Sequence, residues 1–429
     1  MGLQNMISLG GFLALLLLAW LSSFHKRRFP VRTVLFGCGL QFLLGAFVFS
    51  SPLGRELLWT INGWVIKLVA YSGEGIRFLF GPLAAGPGEA HSLGFILAVQ
   101  YLPSIIFFMA LMALLYQLNI MPFVVRLFSK VFVRLLKTSG AESVSVASNI
   151  FVGVESARAV RPFLSSMTRS ELLTMLTACM STVASSTMAI YVGALKSVFP
   201  EIAGHLISAS VLSAPAAIVI SKIILPETGE PMTLGKVPPS AIERKSGFLE
   251  AIIGGAMDGV KQVAAISALL VAFLSFLALA NGLLGGAAGF VTGGSHSISI
   301  ETILSTLSLP LAWLMGVSPH DAWSVAGLLG ERVLVTEIPA YVHLAELAKD
   351  GGLTDPRSVV IASYALCGFT HVASVAIFVG GIGALAPERI KDLSRLGFPA
   401  LWASVLATCA TCCVAGLFYT GGQVILGGR

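Results

Sequence analysis

The sequence predicts an all-α integral membrane protein, with eight transmembrane helices, two re-entrant helical hairpins arranged as inverted repeats, and interfacial helices. Three observations predict it. Hydrophobic residues make up 56% of the 429 and charged residues 11%, against roughly 25% charged in a soluble domain. Apolar runs long enough to cross a bilayer, about 20 residues, recur along almost the whole chain. The basic residues gather in the short stretches between those runs.

The runs are 3–23, 33–50, 94–117, 171–199, 203–224, 260–284, 357–384 and 397–420. The first has no positive charge before it and "HKRR" (25–28) after it. That is the reverse of a signal peptide, so the run reads as a retained helix. Residues 56–81 read as an interfacial helix. "RLFSKVFVRLLK" (126–137) sets Arg126, Lys130, Arg134 and Lys137 on one helical face, with Phe128, Val131, Phe132 and Leu135 away from it. This is the pattern of a helix lying in the membrane interface.

Two semi-polar segments, 140–166 and 320–345, are too interrupted to cross. If each enters and leaves on one side, the basic stretches after the first, third, fifth and seventh runs share one face. The positive-inside rule makes that face cytoplasmic. Both termini are then expected outside, in a multi-pass protein of the cell inner membrane. If either segment spanned, the alternation of charge would fail. The chain divides accordingly into three runs with interfacial helices (1–139), the first semi-polar segment and two runs (140–224), a cytoplasmic loop with a further helix (225–300) and the second semi-polar segment and two runs (301–429).

The chain also echoes itself. "SVASNIFVGVE" (145–155) resembles "SVAGLLGERVLVTE" (324–337), and "CMSTVASSTMAIYVGAL" (179–195) resembles "CGFTHVASVAIFVGGIGAL" (367–385). Each half reads as a hairpin, a polar-centred span and a further span. One hairpin would enter from each side, which is the inverted-repeat plan of secondary transporters.

Polar clusters inside apolar spans mark where backbone leaves the helix to line a cavity. They are Asn149 with Glu155, Ser156 and Arg158; Ser181, Thr182, Ser185, Ser186 and Thr187; Thr336 with Glu337; and Thr370, His371 and Ser374. A lone serine or threonine in such a helix usually bonds to backbone. The two carboxylates need a partner, a proton or a ligand. The six cysteines lie in apolar segments and read as small buried thiols. The net charge of +6 reads as topology signal, which argues against a nucleic-acid partner. No HExxH or GxSxG set is present, which argues against an enzyme. A receptor that binds without transporting and a channel are the other classes weighed.

In order along the chain, "LQFLLGAF" (40–47), "NIFVG" (149–153), "VRPF" (160–163), "MTRSEL" (167–172), "LPETGEP" (225–231), "NGLLGG" (281–286), "ALCGF" (365–369) and "GGIGALAPER" (380–389) resemble the concentrative nucleoside transporters. The resemblance covers nearly the whole chain. It implies a homotrimer in the lipid bilayer, a moving transport domain (140–224 and 301–429) within a scaffold (1–139 and the helix of 225–300), a nucleoside substrate, a coupling sodium ion and no organic cofactor. It places the sodium on the side chains of Asn149 and Thr182 and the carbonyls of Val152 and Val183. It gives Glu337 and Ser374 to the ribose and sets Phe369 near the base. Gly153, Val154, Glu155, Ser156 and Thr187 complete the expected substrate set.

The departures matter as much. Where the family typically continues "NIFVG" with QTEAP, this chain has "VESAR", one residue shorter before "VRPF". The base-reading amide is missing, and Glu155 stands one place from the family's glutamate. His371 stands where the family commonly has asparagine near the ribose. Arg158 is expected to neutralise Glu155 from i+3. The reading is a sodium-coupled nucleoside importer. Proton coupling through Glu155 or His371, and a modified nucleoside or other polar solute, are the alternatives.

Overall fold

The computed structural model describes residues 2–86, 91–239, 247–292, 299–419 and 421, without the side chains of 154, 155 and 287–292. The described residues form no strand. Their helices are α1 (Leu3–Leu21), α2 (Val31–Ser50), α3 (Pro52–Phe80), α4 (Leu97–Gln100), α5 (Ser104–Gln117), α6 (Ile120–Leu136), α7 (Gly140–Val152), α8 (Arg169–Ser181), α9 (Ser185–Leu195), α10 (Ile202–Ile224), α11 (Phe248–Thr292), α12 (Ile300–Leu314), α13 (Ala322–Leu334), α14 (Glu337–Lys349), α15 (Pro356–Leu366), α16 (Val372–Leu385) and α17 (Ile390–Phe418). Between α7 and α8 the chain runs in 3₁₀ turns over Gly153–Ser166.

By length and composition, seven described stretches are apolar enough to cross a membrane. They are α1, α2, α4 with α5, α8 with α9, α10, α11, and α17 with the turn before it. The run 357–384 is two helices, α15 and α16, each too short alone. The run 171–199 is likewise broken, into α8 and α9. Hydropathy passes through both breaks because the residues there are small, apolar or hydroxylated. Helix α11 begins well before the expected 260. The short helix α12, which carries Pro310, was not anticipated. Helices form where 56–81 and the basic stretch read as helical, α3 and α6; Arg126, Lys130 and Arg134 of α6 are exposed while Val125, Ser129 and Phe132 are buried, and Leu135 is exposed with them.

Burial sorts the helices into two layers. The hydrophobic windows of α8–α9, α10 and α17 are 94%, 89% and 83% buried, while that of α11 is 6% buried. An almost wholly apolar helix left uncovered needs lipid or another subunit around it. It packs on α5, and Val271, Phe276, Leu279 and Leu283 face outward.

The segment between α7 and α8 leaves and returns to one place. Ser139 and Glu142 form a reciprocal capping box at the start of α7, and Thr168 and Glu171 form another at the start of α8. The Ser139 hydroxyl also donates to Glu171. Lys222, in the last turn of α10, reaches Glu142 at 2.8 Å and Ser170 at 3.0 Å. The segment 322–353 does the same, because Asp321 accepts the N–H groups of Thr354 and Asp355 at 3.1 and 3.0 Å. Helix α1 serves as a ruler of ~28 Å. Its C-terminal end meets α10 through Phe24 N–H to Ile224 O, beside the first base. Near its N-terminus, Arg357 of α15 donates to Gln4 O and Ser8 Oγ, and to Gly316 O beside the second base. The two bases therefore lie at opposite ends of α1.

Removing one partner of a buried ion pair strands the other charge, at about 3–5 kcal/mol. Lys222→Ala is expected to lower the thermal midpoint in detergent far more than Arg134→Ala on exposed α6. At the other base, burial acts to raise the Asp321 carboxyl, but the Thr354 and Asp355 N–H groups outweigh it and hold it at about 2, below the ordinary 3.8. A depressed carboxyl contributes stability that is full above the unfolded value and lost as pH falls toward the folded one. The gap in thermal midpoint between wild type and Asp321→Asn should therefore shrink as pH is lowered from 6 to 3.

Candidate functional site

The two helix breaks lie against each other. Gly368, between α15 and α16, has φ +143°, and a Cβ there would sit 2.9 Å from Met180 O at the end of α8. The first excursion joins them, since a Cβ on Gly153 (φ +63°) would sit 3.0 Å from the Ala184 Cβ in the other break. Only residues without a side chain permit backbone to approach this closely. Helix ends thus converge at mid-molecule. The C-termini of α7, α8 and α15 bring unpaired carbonyls, and the N-termini of α9, α14 and α16 bring N–H groups.

At the C-terminal ends of α7 and α8, the Thr182 hydroxyl lies 3.2 Å from Asn149 O and 3.0 Å from Ala178 O. Asn149 is wholly buried, and neither atom of its amide has a hydrogen-bond partner. Val152 is the last residue of α7 and buried. Val183 is buried in the break, its N–H and carbonyl 3.4 and 3.5 Å from the Ser210 hydroxyl of α10. The corresponding end of α15 is served differently. There the buried Arg332 guanidinium donates to Ala365 O.

Glu337 opens α14, where the helix dipole favours a carboxylate. Its Oε1 accepts from Tyr191 Oη at 2.6 Å. Its Oε2 lies 3.4 Å from His371 Nε2 and takes no hydrogen bond. His371 caps α16, its Nδ1 accepting from Ser374 N–H at 3.1 Å. The Ser374 hydroxyl donates to His371 O at 2.6 Å and keeps its own lone pairs free of that bond. Phe369 sets its edge toward the His371 ring, centroids 6.4 Å apart. The hydroxyls of Thr336 and Thr370 are also buried without partners.

The structure therefore brings Glu337, Phe369, His371 and Ser374 together, with Asn149, Val152, Gly153, Thr182 and Val183 meeting at the adjoining break. Ser156 turns toward Cys179, 3.7 Å from its sulfur, and the Thr187 hydroxyl bonds back to Ala184 O at 3.0 Å. Val154 and Glu155 belong to the 3₁₀ run, and their side chains lie outside the described residues. The expected Arg158–Glu155 pair lies outside them too. Arg158 is itself about half exposed and 3.9 Å from Asp258 of α11. Two residues were missed in the sequence. Tyr191 sits in an apolar span, yet a buried tyrosine hydroxyl needs a partner, which was the available signal. Arg332 lies in the second semi-polar segment, where a guanidinium among apolar residues needs an acceptor.

The fold and this paired-break site define a membrane transporter. Three family models match the chain: Na+ dependent nucleoside transporter N-terminus over residues 10–83, nucleoside recognition (gate) over 98–198, and Na+ dependent nucleoside transporter C-terminus over 205–416. Nucleoside permease NupC of Helicobacter pylori is 35% identical, with 97% of this chain and 98% of that protein covered. Mouse solute carrier family 28 member 3 is 35% identical over 97% of this chain and 59% of its own length. The solved structure of CNTnw in an inward-facing substrate-bound state is 33% identical, with a TM-score of 0.88 over 97% of this chain and 98% of that one. An outward-facing variant of CNTnw matches at 0.87 and 32% identity, over 97% and 98%. The chain belongs to the concentrative, Na+ dependent nucleoside transporter family, a family of multi-pass membrane transporters and not of enzymes.

Gly368→Ala would push a methyl into Met180 O from a backbone conformation that alanine avoids. Overpacking alone costs typically about 1–3 kcal/mol. The variant should lose transport and drop in thermal midpoint, while Gly282→Ala, with open space around it, should change neither.

Proposed function

We propose that this chain is a sodium-coupled nucleoside importer of the inner membrane, working by alternating access. The observation that carries the reading is the set of buried, unpartnered polar atoms where the breaks cross: the Asn149 amide, Thr336 Oγ1, Glu337 Oε2 and Thr370 Oγ1. Native proteins rarely leave such atoms unpaired, so the set reads as a ligand site. The proposed topology is eight spans with α7–Ser166 and α13–α14 as re-entrant hairpins, both termini outside, in a homotrimer that covers part of the α11 face.

The sodium site suits the donor set. A hard cation takes several oxygens, and the α7 and α8 C-termini point partial negative charge at Asn149 Oδ1, Thr182 Oγ1 and the Val152 and Val183 carbonyls. The nucleoside takes its ribose hydroxyls to Glu337 and Ser374 and its base toward Phe369, Thr187 of α9 and the hairpin tip at Gly153, Val154, Glu155 and Ser156. His371 borders the ribose. Coupling follows from contact: the ion draws the hairpin tip onto the α8–α9 break, and the substrate then meets a site already ordered. The altered "VESAR" tip favours a base set different from that of relatives carrying QTEAP, modified nucleosides included. A second reading, proton-driven symport, has one observation behind it, the buried His371–Glu337 contact.

Uptake of labelled uridine or adenosine into proteoliposomes tests this. An inward sodium gradient should drive accumulation, and Thr182→Val should raise the sodium concentration for half-maximal uptake more than tenfold. Equal uptake driven by a proton gradient alone would remove sodium from the mechanism.

A further inference from the structure

The Glu337 carboxylate is not symmetrical in its surroundings. Oε1 receives a short, charge-assisted bond from Tyr191 Oη, at 2.6 Å. Oε2 is buried without a hydrogen bond. The tyrosine is not free to leave. It is wholly buried on α9, and its ring stacks on Tyr341 with centroids 4.3 Å apart and planes 22° apart. Tyr341 lies one turn beyond Glu337 on α14, and its own hydroxyl donates to Ser363 O at 2.8 Å. Neither ring turns without breaking both contacts. On the other side, His371 Nδ1 accepts from the Ser374 N–H, so the hydrogen of the neutral ring sits on Nε2, facing Oε2 at 3.4 Å.

Each carboxylate oxygen offers about two acceptor sites, and a vicinal diol bridges both oxygens only where each has a site open toward it. Here one oxygen already has its strong donor. We propose that Tyr191 sets the sugar selectivity of the site: by holding Oε1 it turns the open Oε2 to one ribose hydroxyl and leaves the other to the neutral Ser374 hydroxyl, so the transporter tolerates loss of that other. Tyr191 is thus a positioning residue, acting on the substrate through Glu337. The inference rests on the nucleoside reading above.

The test compares uridine, 2′-deoxyuridine and 3′-deoxyuridine in the reconstituted full chain, as wild type and as Tyr191→Phe. The phenylalanine keeps the ring stack and removes only the hydroxyl. In the wild type, one deoxynucleoside should show a KM within threefold of uridine and the other a KM at least tenfold higher. In Tyr191→Phe, Oε1 is released, and the KM of the tolerated deoxynucleoside should rise at least threefold further above that of uridine. Wild-type rejection of both deoxynucleosides by tenfold or more would overturn the inference while leaving the nucleoside reading intact. So would a variant that scales all three KM values by a common factor, which is what a merely structural role produces. Should Tyr191→Phe not fold, direct binding of the three ligands to wild type in detergent gives the same first comparison. If wild type takes up or binds none of the three, the nucleoside reading falls and this inference with it.

Discussion

Unwound backbone in an apolar interior must find partners for its carbonyls and N–H groups, and the rest of this molecule is arranged around that need. Six helix ends meet where the two breaks cross. The repeat treats its two halves unequally. At the end of α15 the protein supplies its own cation, the buried Arg332 on Ala365 O. At the ends of α7 and α8 it supplies neutral oxygens and an unbonded amide at Asn149. One half is closed by a side chain, and the other keeps the unpartnered amide that the proposed ion would fill.

The outer ends are held by a different chemistry. Lys222, Glu142 and Glu171 tie the first hairpin base, and Asp321 and Arg357 tie the second, at opposite ends of α1. Buried charges fix these bases because stranding any one of them is costly. The tips, by contrast, meet through glycine contacts and long hydroxyl bonds such as Thr182 to Asn149 O. Rigid bases with lightly bonded tips allow a ligand to decide how the middle closes. The almost unburied α11 lies outside this unit and touches it near Arg158 and Asp258.

Much of this was legible in the sequence. Hydropathy located most of the apolar helices, because a bilayer-length apolar run is written directly in composition. The internal echo paired the two polar-centred runs, and the polar residues in them drew attention to Asn149, Thr182, Glu337 and His371, while the helix breaks themselves stayed hidden because the residues there are small, apolar or hydroxylated. What stayed hidden depends on partners distant in sequence. Tyr191 looks like ordinary span content until it meets Glu337, 146 residues away. Lys222 looks like a topology signal until Glu142 is found beside it. The short α12 hid because a 15-residue helix with a proline gives neither a spanning run nor a clear amphipathic stripe.

Ion and substrate are proposed to share one ordered state of the hairpin tip, so each should strengthen the other by the same factor. Ligand binding raises the thermal midpoint by mass action. The decisive measurement is the thermal midpoint of the purified protein with and without uridine, in sodium chloride and in choline chloride at equal ionic strength. The predicted result is a uridine shift that is present in sodium and at least halved in choline. A uridine shift of equal size in both salts would contradict coupling through the paired breaks.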